Sequence, residues 1–280
     1  MSELAYEARS YDQLNTNINL LSKKHGQFKA VVQSLVEQAM AWLDEIRGRD
    51  GLQRWLELVE TLRQVTEGKV WYTAWSFRMA CLNDFQIFLE TPRARVTLAL
   101  SHYHESLANQ PTSSSPSPQK SLETASELLS DLQVETYSSM ERREKTEFLL
   151  EQMRLLVLVA KGKDTEDVKE GKIDLSRGEA EWIKVRVGGR KVNEGFLKEK
   201  GNEVGLRHVK ILLLLIVAIQ DLKLKYYELM IQYALHGSEY LDVAKYYHKV
   251  WETPSIKEDV TDKGREVSLV LAPNIFIFSC

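Results

Sequence analysis

Several features that would narrow the function are scarce or missing in this sequence of 280 residues. Only two cysteines occur, Cys81 and Cys280, so neither a disulfide framework nor a cysteine-based zinc site can be built. An excess of one charge sign is also missing: 37 Lys and Arg stand against 40 Asp and Glu, which leaves a net charge of -3. This balance disfavours a protein whose main role is to bind nucleic-acid phosphates, because such proteins are strongly basic.

Long hydrophobic runs and a secretory signal are missing as well. The longest apolar run is Ile211–Ile219, whereas a membrane span needs about 20 residues. Met1–Ser10 has no basic stretch followed by an apolar one, so no signal peptide is predicted. Apolar residues make up 44% of the chain and charged residues 28%, as in ordinary globular proteins. These properties predict a soluble intracellular protein with a sizeable core.

Most of the sequence shows the three- and four-residue spacing of apolar side chains that marks an amphipathic helix. The stretch Phe28–Ile46 predicts one helix of about five turns, and Leu52–Leu62 carries the stripe of the next. Near the end, Leu222–Leu235 and Tyr240–Val250 predict two helices. Only His236-Gly237-Ser238 separates them, a gap typical of an antiparallel helix pair.

Strand signals are few, and short helices follow one another through short turns, which predicts an all-α fold. We expect an α-solenoid of antiparallel helix pairs, although no strict repeat motif recurs. The helical-repeat segments are predicted at residues 1–69, 87–203 and 221–273. Within the second segment, residues 110–119 (QPTSSSPSPQ) predict a flexible Pro/Ser linker, and residues 162–203 predict Gly-rich loops.

Two histidines and a glutamate, His102, His104 and Glu105, are the closest approach to a metal-binding motif. On a helix, side chains two positions apart point to different faces, so the two histidines cannot chelate one ion. No HExxH, nucleophile elbow, kinase loop or paired-carboxylate signature occurs. We therefore interpret the histidines as surface residues and predict no metal site, no cofactor and no catalytic residue.

The segment Lys184–Lys200 (KVRVGGRKVNEGFLKEK) is basic and contains Gly188-Gly189. It lacks the GxxxxGK[ST] pattern of a phosphate-binding loop. As a nucleic-acid patch it offers only Phe196 for stacking, and acidic residues are interleaved. A solvated loop is the interpretation that we favour for this segment.

A cluster of tyrosines marks the last two predicted helices. At helical spacing such residues usually pack in a core or between repeats. Those left exposed are candidate partner-contact anchors. The six candidates are Tyr226, Tyr227, Tyr233, Tyr240, Tyr246 and Tyr247.

Four sequence blocks, taken together and in order, resemble a known family. They are LNTNINLLSKK (Leu14–Lys24), TLRQVTEGK (Thr61–Lys69), LQVETYSSMERREKTEFLLEQMRL (Leu132–Leu155) and LKLKYYELMIQYALHGSEYLDVAKYYHKVWETP (Leu222–Pro254). In these blocks the chain closely resembles the non-ATPase regulatory subunit 12 family of the 26S proteasome lid.

The resemblance implies a non-catalytic scaffold protein with a helical-repeat arm and a PCI module, which comprises a helical part and a winged helix. It implies partners among the other lid subunits and, through the assembled particle, the ATPase base. It implies no direct contact with nucleic acid, membrane or a small-molecule substrate. The expected locations are the cytoplasm and nucleus, where such a subunit would support ATP-dependent degradation of ubiquitinated proteins.

The chain departs from the family pattern at its ends and at two internal positions. We expect that it begins after the family's first helices and ends after Pro273, before the winged helix, with residues 274–280 (NIFIFSC) as an aberrant tail. Residues 70–86 and 204–220 resemble insertions, because deleting each restores the family pattern. Both begin with Val and end with Gln, whose codons can carry the two ends of an intron. Our hypothesis is that both are translated introns.

Three alternatives stay open from the sequence. The first is a subunit of the COP9 signalosome, whose fourth subunit shares the arm-plus-PCI plan. The second is an RNA-binding adaptor that uses Lys184–Lys200. The third is an enzyme, which would require a pocket with convergent titratable groups.

Overall fold

The computed structural model describes residues 2–23, 29–67, 79–109, 117–170, 178–198, 209–253 and 256. Within these ranges the chain forms helices and turns and no strand, which confirms the predicted all-α class. The α-helices are α1 Ser2–Glu7, α2 Tyr11–Lys23, α3 Lys29–Ala41, α4 Leu43–Arg49, α5 Leu52–Thr66, α6 Met79–Asn109, α7 Pro118–Ser130, α8 Arg142–Glu170, α9 Glu179–Lys191, α10 Glu194–Lys198, α11 Val209–His236 and α12 Tyr240–Trp251, with a 3-10 turn at Val134–Thr136.

Two compact units divide the chain, Met1–Met140 and Glu141–Cys280, each with its own apolar core. The division falls inside the predicted segment 87–203. No helix in the described ranges is both long enough and apolar enough to cross a lipid bilayer.

The first unit is built on the apolar stripes that the sequence pattern predicts. In α5, Trp55, Leu58 and Leu62 lie one turn apart and are almost fully buried. Gly51 stands at the start of this helix with φ +90°, a conformation that costs other residues strain. Leu14 and other residues of α2 pack onto the same core. Periodicity therefore predicted the helix and, through Trp55 and Leu62, much of its buried face, whereas Leu52 of the predicted stripe is exposed.

The predicted helix Phe28–Ile46 is not continuous in the structure. A turn at Trp42 separates α3 from α4, so the expectation of a single helix is wrong. The Trp42 indole stacks on the Tyr6 ring of α1, with ring centroids 4.4 Å apart. The turn at Trp42 thus coincides with a contact to a residue that is distant in sequence. The spacing of apolar residues within the segment cannot predict such a contact.

Both proposed insertions fall partly outside the described residues. Of residues 70–86, the structure describes 79–86, which form the first turns of α6. Of residues 204–220, it describes 209–220, which form the first turns of α11. Ile219 in this second stretch is 9% exposed and belongs to the core of the second unit.

Other predicted segments are covered only in part. The Pro/Ser linker falls largely on residues 110–116, which lie outside the described ranges, as does the tail at 274–280. Ser117 is the N-cap of α7: its hydroxyl accepts a hydrogen bond from the Lys120 amide, and Pro118 occupies the first helical position.

The second unit packs α9 against both α8 and α11. Helices α8 and α9 are antiparallel. Near the end of α8, Lys163 Nζ lies 3.0 Å from Glu181 Oε1 at the start of α9, whereas Met153, nearer the start of α8, lies beside Gly188 near the end of α9. Lys161 of α8 donates to the Gln232 side chain of α11 at 2.8 Å. Helix α12 folds back on α11 after the turn at residues 237–239, as the sequence predicts.

The prediction of Gly-rich loops across 162–203 is wrong for residues 162–170 and 179–191, which lie in α8 and α9. Two adjacent glycines in α9 explain why the glycine content of this segment wrongly predicted loops. A Cβ atom on Gly188 would lie 2.9 Å from Met153 Cγ, and one on Gly189 would lie 2.7 Å from Met230 Sδ. These glycines are present because α9 approaches its neighbours closely, and tertiary packing outweighs the low helix propensity of glycine.

In G188A/G189A, overpacking should cost about 1–3 kcal/mol of the free energy of unfolding, so the variant should fall short of the gain of about 0.4–1 kcal/mol per site that unstrained Gly→Ala changes give. Met153 contacts both added methyl groups: its Cγ lies 2.9 Å from a Cβ on Gly188, and its Cε lies 3.6 Å from one on Gly189. The control is Gly48→Ala in α4, where nothing lies within 4 Å of a Cβ. That change should stabilise by about 0.4–1 kcal/mol. Equal effects in chemical denaturation would contradict the close packing of α9.

Candidate interaction surface

Two of the six candidate tyrosines are core residues. Tyr226 is 3% exposed and Tyr227 is 1% exposed, with ring centroids 5.1 Å apart. The Tyr226 hydroxyl donates to the Gly189 carbonyl of α9 at 3.3 Å, which satisfies a polar group inside the core. The burial of these two side chains favours core packing, the competing interpretation of the tyrosine pattern.

The other four tyrosines lie nearer the surface. Tyr233, Tyr246 and Tyr247 are partly buried and pack against the core, with the Tyr246 ring 6.0 Å from that of Tyr227. Tyr240 is 70% exposed at the first position of α12. Leu241, the next residue, is exposed too. Partner contact through these four residues stays a prediction, and Tyr240 has the most free surface.

Burial controls the protonation of the core tyrosines. Loss of solvation raises the pKa of Tyr226, and the nearby Glu194 carboxylate adds to the rise. Burial likewise raises the pKa of Tyr227 to about 12. The Lys249 ammonium lies 5.4 Å from the centre of the Tyr227 ring, within the range of a cation–π contact. The raised pKa values extend to higher pH the range in which both phenols stay neutral.

A polar cluster where α8, α9 and α11 meet has no counterpart in the sequence prediction. The Trp182 Nε1–H donates to Asp164 Oδ2 at 3.1 Å, and the His236 ring stacks on the Trp182 indole at 4.4 Å between centroids. His236 Nε2 lies 3.7 Å from the same Asp164 oxygen. Sequence reasoning missed the cluster because it assigned Asp164 and Trp182 to loops. Its contacts join the three helices and serve packing.

The basic segment Lys184–Lys200 is ordered rather than looped where the structure describes it. Residues 184–191 belong to α9 and 194–198 to α10, so the expectation of a solvated loop is wrong there. Val185, Gly189 and Phe196 are buried. The burial of Phe196 removes the only aromatic ring that this segment could offer to a nucleobase.

The opposite side of α9 is exposed, and we call it the α9 outer face. It comprises two apolar side chains, Ile183 and Val187, three cations, Lys184, Arg186 and Arg190, and the Glu179 carboxylate one turn before Ile183. Trp182 and Val185 hold the inner side of the same helix in the core. The inner side of α9 is therefore packed in the core, while no described residue covers its outer face.

The two histidines of α6 occupy different environments. His102 is exposed, as predicted, whereas His104 is half-buried beside Tyr103, with ring centroids 5.4 Å apart. Burial lowers the pKa of His104, and the Arg63 charge lowers it further. The expectation of a surface histidine is thus wrong for His104.

A small open depression lies on α2. It encloses about 250 Å³ and is lined by Asp12, Gln13, Thr16 and Asn17. All four belong to one helix, so the groups do not converge on a bound molecule from opposite sides. Catalytic pockets usually do bring groups together from several elements.

The described helices define an all-α helical-repeat protein. A family model described as PSMD12/CSN4, N-terminal, matches residues 1–74 and 79–259, and the chain belongs to this family. The recognition made from the four sequence blocks is thereby confirmed.

Several curated proteins are similar to the chain. It is 30% identical over 257 residues to the 26S proteasome non-ATPase regulatory subunit 12 of Dictyostelium discoideum, covering 92% of this chain and 42% of that protein. It is 33% identical over 258 residues to subunit 12 homolog A of Arabidopsis thaliana, covering 91% of this chain and 48% of that protein. The chain is also 30% identical to the regulatory subunit RPN5 of Saccharomyces cerevisiae, and this similarity covers 92% of this chain and 43% of that protein. The chain thus spans less than half the length of these relatives.

Raising the pH should destabilise the second unit through Tyr227. Because its folded pKa is raised to about 12, its contribution to stability is complete below the unfolded value of about 10 and is lost as the pH rises through 12. Tyr227→Phe should make unfolding free energy less dependent on pH in this window. Denaturant titrations from roughly pH 9 to pH 12 measure how the free energy of unfolding changes with pH, because this range includes the unfolded and the folded pKa of Tyr227. Tyr240→Phe is the exposed control, and an equal change in both variants would contradict the effect of burial.

Proposed function

We propose that the chain acts as a non-catalytic scaffold segment of the 26S proteasome lid. The observation that carries the proposal is the similarity, across more than nine-tenths of the chain, to proteins named as 26S proteasome regulatory subunits. Its partners would be other lid subunits and, through the assembled particle, the ATPase base. It would work in the cytoplasm and nucleus.

The structure supports this proposal through rigid helix faces. A scaffold has to present surface groups in fixed positions, since any ordering on association costs affinity. In the second unit, α9 packs closely on its neighbours, with Gly188 beside Met153 of α8 and Gly189 beside Met230 of α11. Exposed side chains such as Tyr240 and Leu241 then stand on a fixed support, where apolar anchors can carry much of the binding energy.

A subunit of the COP9 signalosome is the second candidate function. One observation favours it: the matching family model joins the proteasome subunit with the fourth signalosome subunit in its description. The curated relatives named above are proteasome subunits, which is why we place the lid first. The RNA-binding alternative is weakened, because Phe196, the one aromatic residue of Lys184–Lys200, is buried and cannot stack on a base.

Affinity purification tests which complex the chain joins. The full chain, tagged at its own locus and purified gently, should bring down lid subunits together with the proteasomal ATPases. An unrelated tagged protein at equal abundance is the control. Recovery of signalosome subunits would move the chain to the other complex, and recovery of neither would overturn both assignments. RNA that is retained at low salt and released steeply as salt rises would instead support the adaptor.

We further propose that residues 70–86 and 204–220 are insertions, which the restored family pattern supports. The family match omits residues 75–78 of the first segment and spans the whole of the second. Tryptic peptide mapping separates the two forms of the chain. Without the first insertion, cleavage after Lys69 and Arg93 yields IFLETPR, and without the second the peptide GNEDLK appears. Reproducible detection of VWYTAWSFR or GNEVGLR would show that the corresponding insertion is present in the protein.

A further inference from the structure

The α9 outer face combines an apolar stripe with cationic borders. Ile183 and Val187 lie one helical turn apart, so their side chains are neighbours, and they are 61% and 47% exposed. At 100° per residue, Arg186 and Arg190 fall on one side of this stripe and Lys184 on the other. Two apolar side chains are therefore framed by three positive charges on a single helix.

These three cations have no acidic partner within the part of the chain that the structure describes. Several other described cations form ion pairs, such as Arg54 with Glu57 at 2.9 Å and Arg154 with Glu151. Acidic residues are also slightly in excess over the whole chain, with a net charge of -3. Within the described residues, three cations and one carboxylate, that of Glu179, thus give the α9 outer face a net positive charge around exposed apolar surface.

We propose that the α9 outer face docks an acidic amphipathic helix of a partner protein. The stripe of Ile183 and Val187 fits the apolar side of such a helix, as in ridge-and-groove packing. The guanidinium groups of Arg186 and Arg190 fit carboxylates that flank this apolar side, because their planar N–H groups can hold both oxygens of a carboxylate. The proposal goes beyond the lid assignment and does not depend on it.

A protein helix satisfies this surface better than a nucleic acid does. A phosphate backbone would engage the three cations but would leave Ile183 and Val187 exposed to water. The face also carries no aromatic side chain on which a base could stack. Since Trp182 and Val185 already hold α9 in the core, docking would require little ordering of its backbone.

The test is site-specific photo-crosslinking in the full chain. A photoreactive amino acid replaces Val187 in cells, and the crosslinked peptide is sequenced by mass spectrometry. We expect one dominant peptide rich in Asp and Glu, with apolar residues at helical spacing. The control position is Leu20 of α2, which is 62% exposed and lies in the other unit.

Charge variants decide whether the cations carry the contact. R186E/R190E should reduce the Val187 crosslink by about tenfold or more, because like charges then face each other. R186K/R190K retains the charge and should keep most of the Val187 crosslink yield. I183S removes apolar surface and should reduce this yield. These side chains are exposed, so thermal unfolding should be unchanged, and it is measured for each variant.

Four outcomes would overturn the proposal. They are a crosslink no stronger than at Leu20, a crosslinked peptide without acidic character, a nuclease-sensitive crosslink, and a yield unaffected by R186E/R190E. Co-purification with lid subunits together with any of these would leave the lid assignment standing and remove the docking helix. An acidic crosslinked peptide from outside the proteasome would support docking and count against the lid.

Discussion

The close approach of α9 to α8 and α11 is the constraint on which the second unit depends. It is possible because Gly188 and Gly189 leave room for the side chains of Met153 and Met230. The same approach brings the Gly189 carbonyl within reach of the Tyr226 hydroxyl. With its inner side held in this way, α9 can expose a different set of residues on its outer side. Packing on one side of a helix therefore determines what the other side can offer to a partner.

The tyrosines of α11 and α12 show that one sequence pattern can place its residues in different environments. Tyr226 and Tyr227 fill the core, where their hydroxyl groups must stay protonated or find partners. Tyr240 follows the turn between the two helices and lies mostly in solvent. Aromatic residues of this kind combine a large apolar area with one polar end, which suits both a core and an interface. Their position relative to the helix axes decides which of the two applies.

The groups that carry the candidate chemistry lie in different environments of the described helices. The groups that sequence reasoning could single out, such as the histidines of α6, are divided between an exposed and a half-buried environment. The contacts around Trp182, Asp164 and His236 join three helices instead of lining a pocket.

The sequence by itself determined the helical class, the buried stripe of α5, the turn between α11 and α12, and the family. These follow from local spacing and from residue blocks that can be compared directly. Only the tertiary structure decided that α3 and α4 separate at Trp42 and that residues 179–191 form a helix. The reason is physical: glycine disfavours a helix locally, and only the contacts of Gly188 and Gly189 with methionines far away in sequence outweigh that preference. The exposed cations of α9 were visible as a basic segment, but which of its residues face solvent depends on that packing.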